Sequence, residues 1–181
     1  DDVERVLKEV RELVERANEE IRKVLERDRK SNEDANRKIR EVLRRVEELV
    51  DRIDKIRREL SDKKTVRETV EDILRRIEEL LKELKRISDE TLKRNEDSAR
   101  ELRERSERTL RRIEDLLREL KKRKASDEVV KKIKELLDRH RKTTEEVLER
   151  IRRSLEKHRR DSEEVMKELR RLVKELEDRT R

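Results

Sequence analysis

Large aliphatic residues recur every three or four positions along almost the whole chain. In the first segment the candidate core positions are Val3, Leu7, Val10, Val14, Ala17, Ile21 and Val24, and they resume at Ile39, Val42, Val46, Leu49, Ile53, Ile56 and Leu60. The intervening stretch RDRKSNEDANRK, Arg27 to Lys38, holds no large apolar residue. Asp28, Asn32 and Ala35 nevertheless keep the spacing through it. The mean step of the segment lies between the roughly 3.5 residues of a supercoiled helix and the roughly 3.6 of a straight one. A loop has no reason to return the stripe to the face it left, so the stretch is predicted to be helix with a polar inward face.

Two further segments behave alike. One runs through Val66, Val70, Ile73, Ile77, Leu80, Leu84 and Ile87, crosses Thr91, Asn95, Ser98, Leu102, Ser106 and Thr109, and ends on Ile113, Leu116 and Leu120. The last runs through Val130, Ile133, Leu137, His140, Thr144, Val147, Ile151, Ser154, His158 and Asp161 to Val165, Leu169, Leu172 and Leu176. Doublets such as Leu13-Val14 and Leu116-Leu117 widen the stripe as a bundle helix requires. Between segments, ELSDKKTVRE offers Thr65 and Glu68 as a capping box, and KKRKASDEVV offers Ser126 as N-cap with acids in the first turn. The prediction is an all-α, single-chain, antiparallel (up-down-up) three-helix bundle of very long, weakly supercoiled helices. It forms one domain over residues 1–181, with helices over about 2–60, 65–122 and 127–180. A competing reading has six helices of about half that length, broken near residues 30, 90 and 160, since SNED and SDET also resemble N-caps.

Composition sharpens this picture. The 181 residues are 59% charged and include no Gly, Pro, Cys or aromatic residue, which removes the usual turn formers and helix breakers. Such charge density alone would favour disorder, but the helical recurrence of Leu, Ile and Val supplies a core. No disulfide, thiolate nucleophile or Cys-based metal site can form. Net charge is +7, in mixed-sign segments, which suits solubility and implies only weak attraction to polyanions. The longest apolar runs are pairs such as Leu80-Leu81, no secretory signal precedes the first helix, and the chain starts at Asp1. A soluble protein of otherwise undetermined location is expected.

The topology tests the polar interruptions against one another. With reversals near residues 62 and 123, Asn18 comes level with Ser106 and Thr109, and these with His140, Thr143 and Thr144. Asp28, Ser31, Asn32 and Asn36 come level with Ser88, Thr91, Asn95 and Ser98, and these with Ser154, His158 and Ser162. Two buried polar layers are predicted. A buried polar atom left unpaired costs about 1–3 kcal/mol, so such layers are tolerable only when hydrogen-bonded, and they penalise a slipped helix.

With its Glu, Lys and Arg surfaces, Leu, Ile and Val core, SDE helix start at Ser126 and Asn, Ser, Thr and His at core positions, the chain resembles computationally designed helical bundles with buried hydrogen-bond networks. The resemblance covers the whole chain and is stylistic, since no single motif defines the class. It implies a scaffold without natural biochemical function, or a component that associates through its network or has one helix displaced by a competing peptide. Glycine-containing connectors, common in such designs, are absent. Spectrin-like three-helix repeats fit poorly, because no aromatic residue is present.

Catalytic and ligand chemistry finds little footing. His140 and His158 lie about 27 Å apart along one helix and cannot share a metal, and a metal at His158 with Asp28 or Asp161 would lack strong ligands. Ser154, His158 and Asp28 can be drawn as a nucleophilic triad, but a bundle interior offers neither cleft nor oxyanion donors. No glycine-rich phosphate cradle exists. The basic runs KKRK (Lys121–Lys124) and KHRR (Lys157–Arg160) are short and have no aromatic stacking partners. The expectation is a non-enzymatic, monomeric structural scaffold without cofactor, metal, nucleic-acid or membrane partner, whose polar layers fix register and topology. The alternative is an interaction module that binds a fourth helix or a second chain, since wide apolar stripes exceed what three helices need.

Overall fold

A computed structural model of the chain describes residues 2–180. Among these residues there are three α-helices and no strand: α1 (Asp2–Glu59), α2 (Lys63–Lys122) and α3 (Asp127–Thr180). The chain is an all-α three-helix bundle. Residues 27–38 lie inside α1, and residues 30, 90 and 160 are all helical, so the six-helix alternative is overturned. With no Pro or Gly to end a helix there, the polar stretch stays helical. Asp34 meets Arg37 and Lys38, each at 3.2 Å, on its outer face.

Cross-helix pairs establish the antiparallel order directly. Arg27 meets Glu101 at 2.7 Å, Arg112 meets Glu9 at 2.8 Å and Arg123 meets Asp2 at 2.5 Å, so rising numbers on α1 face falling numbers on α2. Arg141 of α3 meets Glu114 of α2 at 3.5 Å. Each exposed pair adds little energy; their value here is that they report the level of each helix.

The first turn differs from its expected form. Thr65 is not the cap. The first helical bond of α2 runs from the Val66 N–H to the Asp62 carbonyl (3.0 Å), and the Asp62 carboxylate accepts from the Thr65 hydroxyl (2.6 Å) and the Lys64 N–H (3.3 Å). A carboxylate ahead of the helix reaches these free donors, so α2 starts at Lys63. The same two bonds, the hydroxyl's first, hold the Asp62 pKa below its ordinary value. Leu60, expected in the core, follows the last residue of α1 and is 45% exposed.

The second turn is a Schellman motif without glycine. Ala125 N–H bonds to the Leu120 carbonyl (3.1 Å) and Lys124 N–H to that of Lys121 (3.2 Å), with Lys124 at φ 55°. Ala125 packs against the cluster that contains Leu120, the apolar contact that accompanies such caps. Ser126 caps α3 as expected, its hydroxyl accepting from Val129 N–H at 3.4 Å.

Contacts divide the chain into two compact units, each holding a part of every helix. Unit 1 comprises Asp1–Arg29 and Arg94–Leu155, and unit 2 comprises Lys30–Lys93 and Glu156–Arg181. Unit 1 has two aliphatic clusters, one around Val6, Val10, Ile113, Leu116, Leu120, Ile133 and Leu137, the other around Ile21, Leu102, Val147 and Ile151. Unit 2 has one cluster, including Val42, Val46, Ile53, Ile73, Ile77, Leu84 and Leu176. Fully burying one such side chain contributes about 1.5–3 kcal/mol, which outweighs any single surface pair. Where doublets exist, the buried member is not always the expected one. Val6 is buried and Leu7 only partly, and Met166 and Val173 are buried where Val165 and Leu172 are partly covered.

A non-glycine residue in the left-handed region costs about 1–2 kcal/mol. Lys124→Gly is therefore expected to stabilise the chain by about 1 kcal/mol in urea unfolding; an unchanged midpoint would show that the turn carries no such strain.

Candidate functional site

The chemistry of this chain lies in its buried polar residues. In unit 1, between the two aliphatic clusters, His140 and Thr144 of α3 meet Ser106 of α2, and all three are buried. The Thr144 hydroxyl donates to the His140 carbonyl at 2.9 Å, and Ser106 Oγ donates to Thr144 Oγ1 at 3.1 Å. With both hydroxyl protons committed, Ser106 Oγ (3.4 Å from His140 Nε2) must act as acceptor, so the imidazole proton sits on Nε2. The bonds form a closed circuit from the His140 ring through two hydroxyls to the His140 backbone. His140 Nδ1 is buried with no partner. Protonating it would create a buried N–H with no acceptor, and burial accordingly lowers the His140 pKa below 6.5. Asn18 and Thr109, expected at this level, are half-buried and no hydrogen bond joins them to the circuit.

The residues of the second expected layer fall in both units. In unit 1, Asp28, Asn95 and Ser98 are buried. Asp28 accepts a hydrogen bond from Ser98; burial raises its pKa above 3.8, opposed by that bond and by Arg27. In unit 2, Ser88 and Thr91 are buried, and Ser31, Asn32, His158 and Ser162 are half-buried. Ser88 Oγ and Ser162 Oγ each lie 3.5 Å from the same atom, His158 Nε2. That nitrogen offers one proton or one lone pair, so both contacts are weak and both hydroxyls keep spare capacity. Burial lowers the His158 pKa, against smaller opposing effects of the Ser88 backbone and the Asp161 carboxylate. Thr91 turns back to the Ile87 carbonyl at 2.8 Å, within its own helix, and Ser31 Oγ is buried without a partner.

Two expected members are corrected. Asn36 and Ser154 are exposed, as is Thr143. On α1 the inward position at that turn belongs to Ala35, whose neighbour Asn36 points outward; on α3 the stripe passes from Ile151 to half-buried Leu155 and His158. An exposed Ser154 also removes the nucleophile of the triad considered above, and His158 has Ser88 and Ser162 as its partners. Among the described residues no group of three or more His, Asp or Glu could hold a metal ion, and no helix is long and apolar enough to cross a membrane.

Sequence reasoning missed the intrahelical bonds of Thr91 and Thr144 and the unpartnered His140 Nδ1. Spacing of four between Thr144 and His140 signals the first kind of bond; nothing in sequence signals the orphan atom.

Both histidine pKa values lie below the unfolded reference of 6.5. The folded chain thus binds fewer protons than the unfolded chain just below that pH. Stability is expected to be full above about pH 6.5 and to fall as pH drops below it, so the melting temperature at pH 5 should lie below that at pH 7.5. The shift should vanish in a His140→Leu/His158→Leu variant; its persistence there would assign it to carboxylates whose pKa is lowered on folding, Glu101 and Glu149 among them, and not to Asp28, whose raised pKa favours the folded chain at low pH.

No family model matches the chain, and no curated protein matches it. Among solved structures it is similar to one described as "Computationally designed three helix bundle", with 24% sequence identity over 97% of this chain and 82% of that chain, at a TM-score of 0.34.

Proposed function

We propose that the chain is a designed structural scaffold, without natural biochemical activity, whose buried polar groups fix the register and topology of its helices. The circuit of His140, Ser106 and Thr144 carries this reading. It links α2 to α3 between two aliphatic clusters, where displacement of either helix would leave the His140 ring and the Ser106 hydroxyl without partners. Connections of three and four residues already limit sliding; the circuit acts against the packings that such turns still permit, the opposite handedness and exchange with another copy. Composition supports design: 181 residues without Gly, Pro, Cys or an aromatic ring, patterned at one helical period throughout. Catalysis is not assigned to the chain, since helix-interior N–H groups are already bonded and none is left to serve as an oxyanion donor.

A second reading, an interaction module that takes a fourth helix or a second chain, is favoured by apolar hollows between α2 and α3. The two readings are compatible, since a scaffold can present a surface.

The triple variant Ser106→Ala/His140→Leu/Thr144→Val is expected to melt at the same or a higher temperature yet to populate more than one packing. Doubled amide cross-peaks or a mass that rises with concentration would report this. A variant that remains a single monomeric conformer would show that the circuit contributes no specificity.

A further inference from the structure

We propose that the trough between α2 and α3 in unit 2 is a docking groove for a separate amphipathic helix, whose apolar stripe is interrupted by one amide or hydroxyl and edged by carboxylates. This rests on the interaction reading and gives it a place and a partner chemistry. Two hollows of about 290 Å³ and 510 Å³ share Lys85, Met166 and Arg170, so they form one continuous trough. Along α2 it runs from Glu78 to Leu92, about 21 Å at 1.5 Å per residue, the length of about four helical turns. Its floor is apolar at Leu81, Met166 and Val173 and again at Leu92.

Between these apolar stretches the floor turns polar. Ser88 and Ser162 both line the trough and compete for a single nitrogen of His158 at 3.5 Å. A carboxamide on a docked helix supplies both a donor and an acceptor at that level. A purely aliphatic helix would seal the two hydroxyls away from water with their bonding incomplete.

The rim selects the partner's charge. Lys82, Lys85, Lys167 and Arg170 edge the trough and none has an ion-pair partner among the described residues; Arg159 adds a fifth cation against three acids, Glu78, Asp89 and Glu163. Carboxylates on the incoming helix complement this excess. A second copy of the chain brings a net charge of +7 and is disfavoured. The hollow in unit 1 is different, because its Glu149 is already engaged by Arg152 at 2.6 Å and Arg153 at 3.3 Å.

The test titrates fluorescein-labelled helical peptides of about 21 residues with the full chain and follows anisotropy. Each peptide carries Leu at its inward positions; one has a central Asn and Glu at both edges, one has the Asn with Lys at both edges, and one has Glu edges with Leu replacing the Asn. Saturable binding of the Glu-edged Asn peptide is expected, at least about tenfold tighter than the Lys-edged peptide and about threefold or more tighter than the Leu-centred one. The surface variant Lys85→Glu/Lys167→Glu/Arg170→Glu, with helicity unchanged by circular dichroism, should lose at least about tenfold in affinity for the Glu-edged peptide. Equal binding of Glu- and Lys-edged peptides, of the Leu-centred peptide, or of the charge-reversed variant overturns the proposal and leaves the interaction reading standing. No binding of any peptide up to roughly 100 µM overturns both. Self-association that the peptide cannot compete away assigns the trough to a second copy and overturns the proposal.

Discussion

An imidazole enclosed by aliphatic side chains must find partners or be expelled, and this demand organises the interior of unit 1. His140 is 2% exposed, so its ring bonds have to come from the protein. The ring has one, with the Ser106 hydroxyl on the facing helix, which donates in turn to the Thr144 hydroxyl one turn along α3. Aliphatic burial on either side supplies most of the stabilisation, at about 1.5–3 kcal/mol for each large side chain. It does so indifferently, because one Leu packs against another in many arrangements. The polar circuit is less tolerant: a hydroxyl moved by one helical turn bonds to nothing. On the scaffold reading proposed above, energy and specificity reside in different residues.

Unit 2 meets the same demand less completely. His158 is half-buried and serves two serines with one nitrogen. Ser31 Oγ has no partner at all. An incomplete network costs more than an aliphatic core, and here it lies where the surface between α2 and α3 is hollowed. His140 thus sits in a circuit closed within the interior, and His158 beside serines that line a hollow of the surface.

Much of this architecture was legible in the amino-acid sequence because helical periodicity survives substitution of polar for apolar residues. Asp28, Asn95, Ser98, Ser106, His140 and Thr144 were placed inward by phase alone, and all are buried. Phase fails where two adjacent residues compete for the inward position. Val6 and Leu7 differ by one helical step of about 100°, and only the surrounding packing decides between them. It fails again at Ser154, where a three-residue step and a four-residue step fit the period equally well; Asn36 came from matching levels, while phase placed its buried neighbour Ala35 inward. Caps were legible when the capping side chain precedes an obvious helix, as at Ser126. Asp62 escaped because Thr65 and Glu68 imitate a cap three residues later. Hydrogen-bond partners were the least legible, since they depend on side-chain rotation, which no linear pattern encodes.

The threonines of α2 and α3 have a geometric effect besides their role inside the core. Thr69, Thr91 and Thr144 each donate to the carbonyl four residues earlier, at 2.8, 2.8 and 2.9 Å. Each of those oxygens then serves a hydroxyl as well as a backbone amide, an arrangement that in helices generally favours a slight bend. In a sequence with neither proline nor glycine, side chains that divide a carbonyl's lone pairs between two donors are the remaining local means of bending a helix.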